Sequence, residues 1–261
     1  MSLTMSGKTI TQGKVSSVNS KPPIIIREAH IWEAYRMGEI AAKTYHDTPL
    51  TNFLSPYRQK YPSHYVRGCV HRNIMRFFNP RTLSLVACEA SNPSYPIGYA
   101  QFIRLGDDEG AKRHVASRNS LWRWVLGWLF WAYYKVLFWA VGGDKSSEPK
   151  NLAAFESWPV KVHWDFPERK NRWHAQSVVV AAEFQGRGIG KKMMAEAIEK
   201  AESEGVCIGL EASPLGEHMY RSVGFKMISR YNEEALKIEE GGGFMMWTPS
   251  SWKIKENDVG I

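Results

Sequence analysis

Val178-Val179-Val180-Ala181-Ala182-Glu183-Phe184-Gln185-Gly186-Arg187-Gly188-Ile189-Gly190-Lys191-Lys192 runs from an apolar stretch through three glycines into a charged one. Ala175 to Ala181 reads as a strand, and its Val178-Val179-Val180 run suits burial on both faces in the middle of a sheet. Beyond the glycines, Ile189, Met193, Met194, Ala197, Ile198 and Ala201 recur at helical spacing until Gly205 ends the pattern. A glycine loop between a strand and a helix suits an anion. The first-turn N–H groups of the helix lack intrahelical partners and sit at the positive end of its dipole, and glycines let a ligand approach the backbone closely. Arg187, Lys191 and Lys192 add positive charge at the same point, as a pyrophosphate requires.

Two familiar phosphate loops do not fit. A nucleotide P-loop needs a glycine where Gln185 stands and a hydroxyl where Lys192 stands, and a dinucleotide fingerprint needs its last glycine where Lys191 stands. The pattern that is met, Gln/Arg-x-x-Gly-x-Gly/Ala at Gln185, Gly188 and Gly190, resembles that of the GNAT superfamily of acetyl-CoA-dependent acetyltransferases. Downstream, Leu210-Glu211-Ala212-Ser213 leading into Tyr220-Arg221-Ser222-Val223-Gly224-Phe225 is similar to the later half of that family. Where the family usually has a proline before the glutamate, this chain has Ala182. The resemblance spans 174–248 well and 24–105 loosely, and leaves 106–173 unaccounted for.

The resemblance implies an α/β fold with a GNAT-like mixed central sheet flanked by helices, and an N-acetyltransferase that passes the acetyl group of acetyl-CoA directly to an amine. It implies that the strand edge at Val178 and Val180 pairs with the pantetheine arm. The pyrophosphate would be held by Gln185, Gly186, Arg187, Gly188, Ile189, Gly190 and Lys191, with Ser213 nearby. Tyr220 matches the family's tyrosine that protonates the departing thiolate; its other reading is an aromatic packed under the sheet. An ammonium acceptor must lose a proton before it attacks, so a base is expected near the central strand, and His174 and Glu211 are the candidates. Each also reads as an ordinary hydrogen bonder at a strand end. The histidines show no metal-ligand spacing, so no metal is expected.

The rest of the chain reads as strand Ile24–Ile26, a helix through Ile31 to Ala41, and a proline-marked break at 47–56. A helix carrying Tyr65, Cys69, Val70, Ile74 and Phe78 follows, and then a hairpin of Leu83–Ala87 with Ile97–Leu105. After the glycine loop come strand Val206–Leu210, a short helix capped by Ser213 and Pro214, and a closing pair at Phe225–Ile228 and Phe244–Trp247. The domain is expected over 24–248, between a flexible tail at 1–23 and another at 249–261. Residues 106–173 form a Trp-rich helical insertion between the third and central strands. Its segment Leu121 to Gly142 holds five of the eleven Trp and has only Arg123 and Lys135 as charges, so no face of a helix there is polar. Three roles fit it: a hydrophobic lid or packed insert giving a small, partly apolar amine its pocket, contact with a membrane surface, or self-association through 119–141. The first makes the chain an enzyme with an apolar pocket. The others leave open a non-catalytic CoA-binding module tethered to a membrane or partner.

With 261 residues, 44% of them apolar and 23% charged, the chain can bury a full core and is neither low-complexity nor disordered as a whole. Cys69, Cys88 and Cys207 are odd in number and widely spaced, which excludes a disulfide framework and suits a reducing compartment. With no leader pattern near residue 1, a cytoplasmic location is expected. Residues 1–105 hold thirteen basic and five acidic side chains, and carry the whole of the net +8. Arg58, Lys60, Arg67, Arg72, Arg76 and Arg81 lie in one acid-free stretch that could attract an anion. No nucleic-acid-binding motif accompanies them, so no nucleic-acid partner is expected.

Overall fold

The computed structural model describes residues 22–157, 163–231 and 241–252. A seven-stranded sheet organises them: β1 (Ile24–Glu28), β2 (Thr82–Glu89), β3 (Asn92–Leu105), β4 (Arg172–Val180), β5 (Cys207–Ala212), β6 (Lys226–Arg230) and β7 (Gly243–Trp247), in spatial order β1-β2-β3-β4-β5-β7-β6. All neighbours are antiparallel except β4 and β5, which run parallel. The mixed sheet is the one expected. Helices α1 (Ala34–Thr44), α2 (Pro49–Leu54) and α3 (Pro62–Phe78) lie between β1 and β2. The insertion supplies α4 (Glu109–Arg118), α5 (Leu121–Ala140), α6 (Pro149–Glu156) and α7 (Pro167–Lys170), while α8 (Ile189–Glu204) and α9 (Pro214–Ser222) flank β5.

Each face of the sheet has its own core. On one, Ile189, Met193, Met194, Ala197 and Ala201 of α8 bury against Leu83, Phe102, Trp173, Ile208 and Met245. On the other, Met37 and Ile40 of α1 with Tyr65 and Cys69 of α3 bury against Val86, Tyr99 and Val179. The helical spacing of these residues directs them to the sheet, and the loss of apolar surface to water drives the packing. All three cysteines are free and buried. Arg104 is fully buried on β3 and donates to Asp108 (2.7 Å) and Glu204 (2.6 Å), which ties the start of the insertion to the end of α8.

The insertion is helical, as expected, but α5 is not a buried lid. It lies on α3, where Phe130, Tyr134, Leu137 and Phe138 meet Val70, Ile74 and Phe78. Gly127 fits there because Cβ of Phe78 comes within 3.1 Å of where a Cβ of its own would stand. Its opposite side is bare: Trp122, Trp128 and Trp139 are 74%, 57% and 85% exposed. Among the described residues no helix is long and apolar enough to cross a membrane.

Candidate active site

The central strands separate partway along their length. Arg172, Trp173, His174 and Ala175 of β4 face Cys207, Ile208, Gly209 and Leu210 of β5, and there the pairing stops. On its other side β4 stays zipped to β3 as far as Val180 opposite Gly98. Gln101 faces Ser177 and Phe102 faces Ala175, so Gln176 is an extra residue, a bulge that bends β4 where it leaves β5. Among the described residues the edge of β4 from Gln176 to Val180, including Val178 and Val180, therefore has no strand partner on the β5 side. A bound extended group could take that edge by strand addition.

At the end of this gap lies the glycine loop. Gly186 (φ +73°) and Gly188 (φ +71°) are left-handed, a conformation open to glycine at little cost. Gly188 is the N-cap of α8, so the free N–H groups of Ile189, Gly190 and Lys191 begin the helix just beyond it. Gly190, in the first turn of α8, faces Met219 of α9. The side chain of Gln185 turns inward and donates to the carbonyl of Val180 (2.9 Å), fastening loop to strand. Arg187 donates to Glu89 (2.6 Å) and to the carbonyl of Pro22 (3.0 Å). It acts as a brace at this loop, whereas Lys191 and Lys192 are exposed. Ser213 accepts from the Gly216 N–H (3.2 Å) and caps α9.

His174 and Glu211, proposed separately from the sequence, meet across the strands: His174 Nε2 is 2.9 Å from Glu211 Oε2. The Trp164 indole N–H donates to the other carboxylate oxygen (3.3 Å). Burial pushes the Glu211 carboxyl up, but the hydrogen bonds from His174 and Trp164 and the charge of Arg172 outweigh it and hold the group below its usual range. An ionised Glu211 makes His174 Nε2 the N–H donor, which leaves Nδ1 as a buried nitrogen without a partner among the described residues. The Glu211 side chain is 31% exposed against 14% for His174, so the carboxylate is the more accessible member of the pair.

Tyr220 is buried on α9 beside Phe225 (ring centroids 5.7 Å apart), and burial alone raises its hydroxyl far above the ordinary range. It stays protonated at neutral pH and can donate. Tyr231 is raised by burial and by the charges of Glu211 and Tyr220, so it lies within electrostatic reach of both.

Several residues around the site carry no signal that was read from the sequence. Trp164 lies edge-on to His174 (5.5 Å) and under the Arg172 guanidinium (5.0 Å). It fits because position 209 is glycine; a Cβ there would stand 2.6 Å from the indole. An isolated glycine within a strand is the signal of such close approach. Arg76, from the basic stretch, donates to Ser177 (2.9 Å) beside the bulge, and Arg81 donates to Gly106 and Asp107 (2.7 and 3.2 Å). That stretch is in part internal scaffolding. A separate cleft of about 370 Å³ is lined by Glu39, His46, Asp47, Arg58 and Tyr65, among others, and by nothing from β4, β5 or the glycine loop.

Comparison with known proteins agrees with this geometry. Residues 158–227, which include β4, the glycine loop, α8, β5 and α9, match the acetyltransferase (GNAT) domain family. No curated protein matches the sequence. Among solved structures, the histone acetyltransferase HPA2 and related acetyltransferase of Corynebacterium glutamicum is similar, with a TM-score of 0.57 at 13% identity over 88% of this chain and 99% of that one. The PaiA N-acetyltransferase of Thermoplasma acidophilum, in complex with coenzyme A, gives 0.46 at 13% identity over 87% and 99%. A GNAT family acetyltransferase of Brucella melitensis, in complex with acetyl-CoA, gives 0.41 at 15% identity over 87% and 89%.

Proposed function

We propose that this chain, whose residues 158–227 match the acetyltransferase (GNAT) domain family, is an N-acetyltransferase that moves the acetyl group of acetyl-CoA directly onto an amine of a small, partly apolar acceptor. The observation that carries this reading is the unpaired edge of β4 from Gln176 to Val180, opening beside a helix N-terminus with two left-handed glycines in front of it. An extended amide-bearing arm pairs with that edge at Val178 and Val180. Its pyrophosphate meets the N–H groups of Ile189, Gly190 and Lys191 and the charges of Lys191 and Lys192. Gln185 and Arg187 hold the loop in place through Val180 and Glu89. Ser213 serves the site by starting α9, which carries Tyr220.

Glu211 attracts the acceptor ammonium and accepts its proton, with His174 and Trp164 orienting the carboxylate. The free amine attacks the thioester carbonyl, the carbon–sulfur bond breaks, Tyr220 gives its proton to the leaving thiolate, and the second proton of the attacking nitrogen passes to the Tyr220 phenolate as the amide forms. Trp164 and Phe244, whose rings lie 6.4 Å apart near Glu211, supply apolar surface for the acceptor, a role the sequence reading gave to the aromatic helix.

Calorimetric titration with acetyl-CoA tests the reading. The intact chain should bind with one site, and Gly188→Asp, which places an anion and a strained backbone at the loop, should abolish binding. Tyr220→Phe should bind normally and turn over an amine panel at least tenfold more slowly. Intact protein that does not bind acetyl-CoA would overturn the proposal.

A further inference from the structure

Helix α5 presents an aromatic face to solvent along its whole length. Leu121, Trp122, Trp124, Trp128, Val136 and Trp139 are each more than half exposed. Twenty residues at 1.5 Å per residue make this a strip about 30 Å long. Tyr35 of α1 (60% exposed) adjoins it, within electrostatic reach of the Tyr134 hydroxyl. Exposed apolar area of this extent on one side of a protein marks an interaction surface.

Two observations say what covers it. The first is residue type: the strip is dominated by Trp with Tyr at its border, amphipathic rings that favour the boundary between lipid headgroups and acyl chains. The second is charge. From residue 110 to 143 there is no acidic residue, while Lys112, Arg113, Arg118, Arg123 and Lys135 lie within it. Lys135 is exposed on the helix itself, its ammonium 5.7 Å from the centre of the Trp131 ring. Among the described residues Lys135 makes no ion pair with a carboxylate. A second copy of the chain would bring the same positive charge against itself, whereas an anionic surface complements it.

We propose that α5, with Tyr35, seats the protein on an anionic membrane surface, the helix lying in the plane of the interface without crossing it. The charged end of Lys135 reaches headgroups while the indoles enter the acyl boundary. Acetyl transfer then takes place next to a lipid surface, whatever the acceptor.

Cosedimentation of the full chain with vesicles tests this. One set is phosphatidylcholine mixed with phosphatidylserine, and the other is phosphatidylcholine alone. The chain should partition onto the mixed vesicles at least tenfold more strongly than onto the neutral ones, with weakening as salt rises and a blue shift of Trp emission. The triple variant Trp122→Gln, Trp128→Gln, Trp139→Gln alters exposed side chains only. It should lose at least tenfold in partitioning while keeping its melting temperature and its acetyl-CoA titration. Three results would overturn the proposal: no partitioning onto either vesicle, equal partitioning onto both, or a lipid-free dimer in sedimentation velocity that the triple variant dissociates. Because acetyl-CoA binding is read separately, loss of the membrane contact and loss of the enzymatic reading are distinguishable.

Discussion

Glu211 owes its low pKa to partners that could be removed one at a time. With His174→Ala, burial loses its main counterweight and the carboxyl titrates higher. The acid limb of the pH–rate profile, expected below the usual carboxylate range in the intact enzyme, should then move to higher pH, whereas a purely structural His174 would lower the rate without moving the limb. Glu211→Gln should cost at least a hundredfold in kcat/KM with unchanged affinity for acetyl-CoA, measured by steady-state kinetics beside calorimetry. The same carboxylate contributes stability that is present above its unfolded pKa and lost as pH falls through the lower folded value. Gly209 is the other residue whose chemistry is local. Gly209→Ala places a methyl group 2.6 Å from the Trp164 ring, so it should destabilise by about 1–3 kcal/mol, and Trp164→Leu on the same background should recover part of the loss in a urea titration.

Among the elements, the strand–loop–helix unit was legible because each piece carries its own signal: valines for β4, glycines at positive φ, and a 3.6-residue period for α8. Other boundaries were hidden. β3 begins at Asn92, five residues before the apolar run, because its first residues pair with β2 while exposed to water and include two prolines. β4 begins at Arg172 because Arg172 and His174 face the site, where polar residues are needed. The bulge at Gln176 has no sequence mark, and it decides that Ser177 meets Arg76. The pairing of His174 with Glu211 is a long-range product of the parallel register of β4 and β5, visible only once the strands are aligned. For α5 the absence of a polar face was plain, but which side meets α3 was not, since every side is apolar. At this scale Gly188→Val places a β-branched residue at φ +71°, and should raise the acetyl-CoA dissociation constant at least tenfold while α8, buried by its opposite face, keeps its helicity by circular dichroism.

For the molecule as a whole, the insertion is fastened at both ends. Arg104 holds its entrance through Asp108 and Glu204, and Trp164 lays its exit over Gly209. Removing a fully buried guanidinium from two carboxylates is costly: Arg104→Ala should lower stability by about 3–5 kcal/mol, seen as a lower urea midpoint. The sheet itself is two sheets sharing a short seam, with β1 to β4 on one side, β5 to β7 on the other, and four residue pairs between them. Such a seam is a mechanical weak point. Pulled in a force spectrometer with handles on β3 and β7, the protein should yield first between β4 and β5, at a force well below that which separates β2 from β3. A ligand arm hydrogen-bonded along the free lip of β4 would act as mortar, and its occupancy could be counted one molecule at a time as a rise in rupture force.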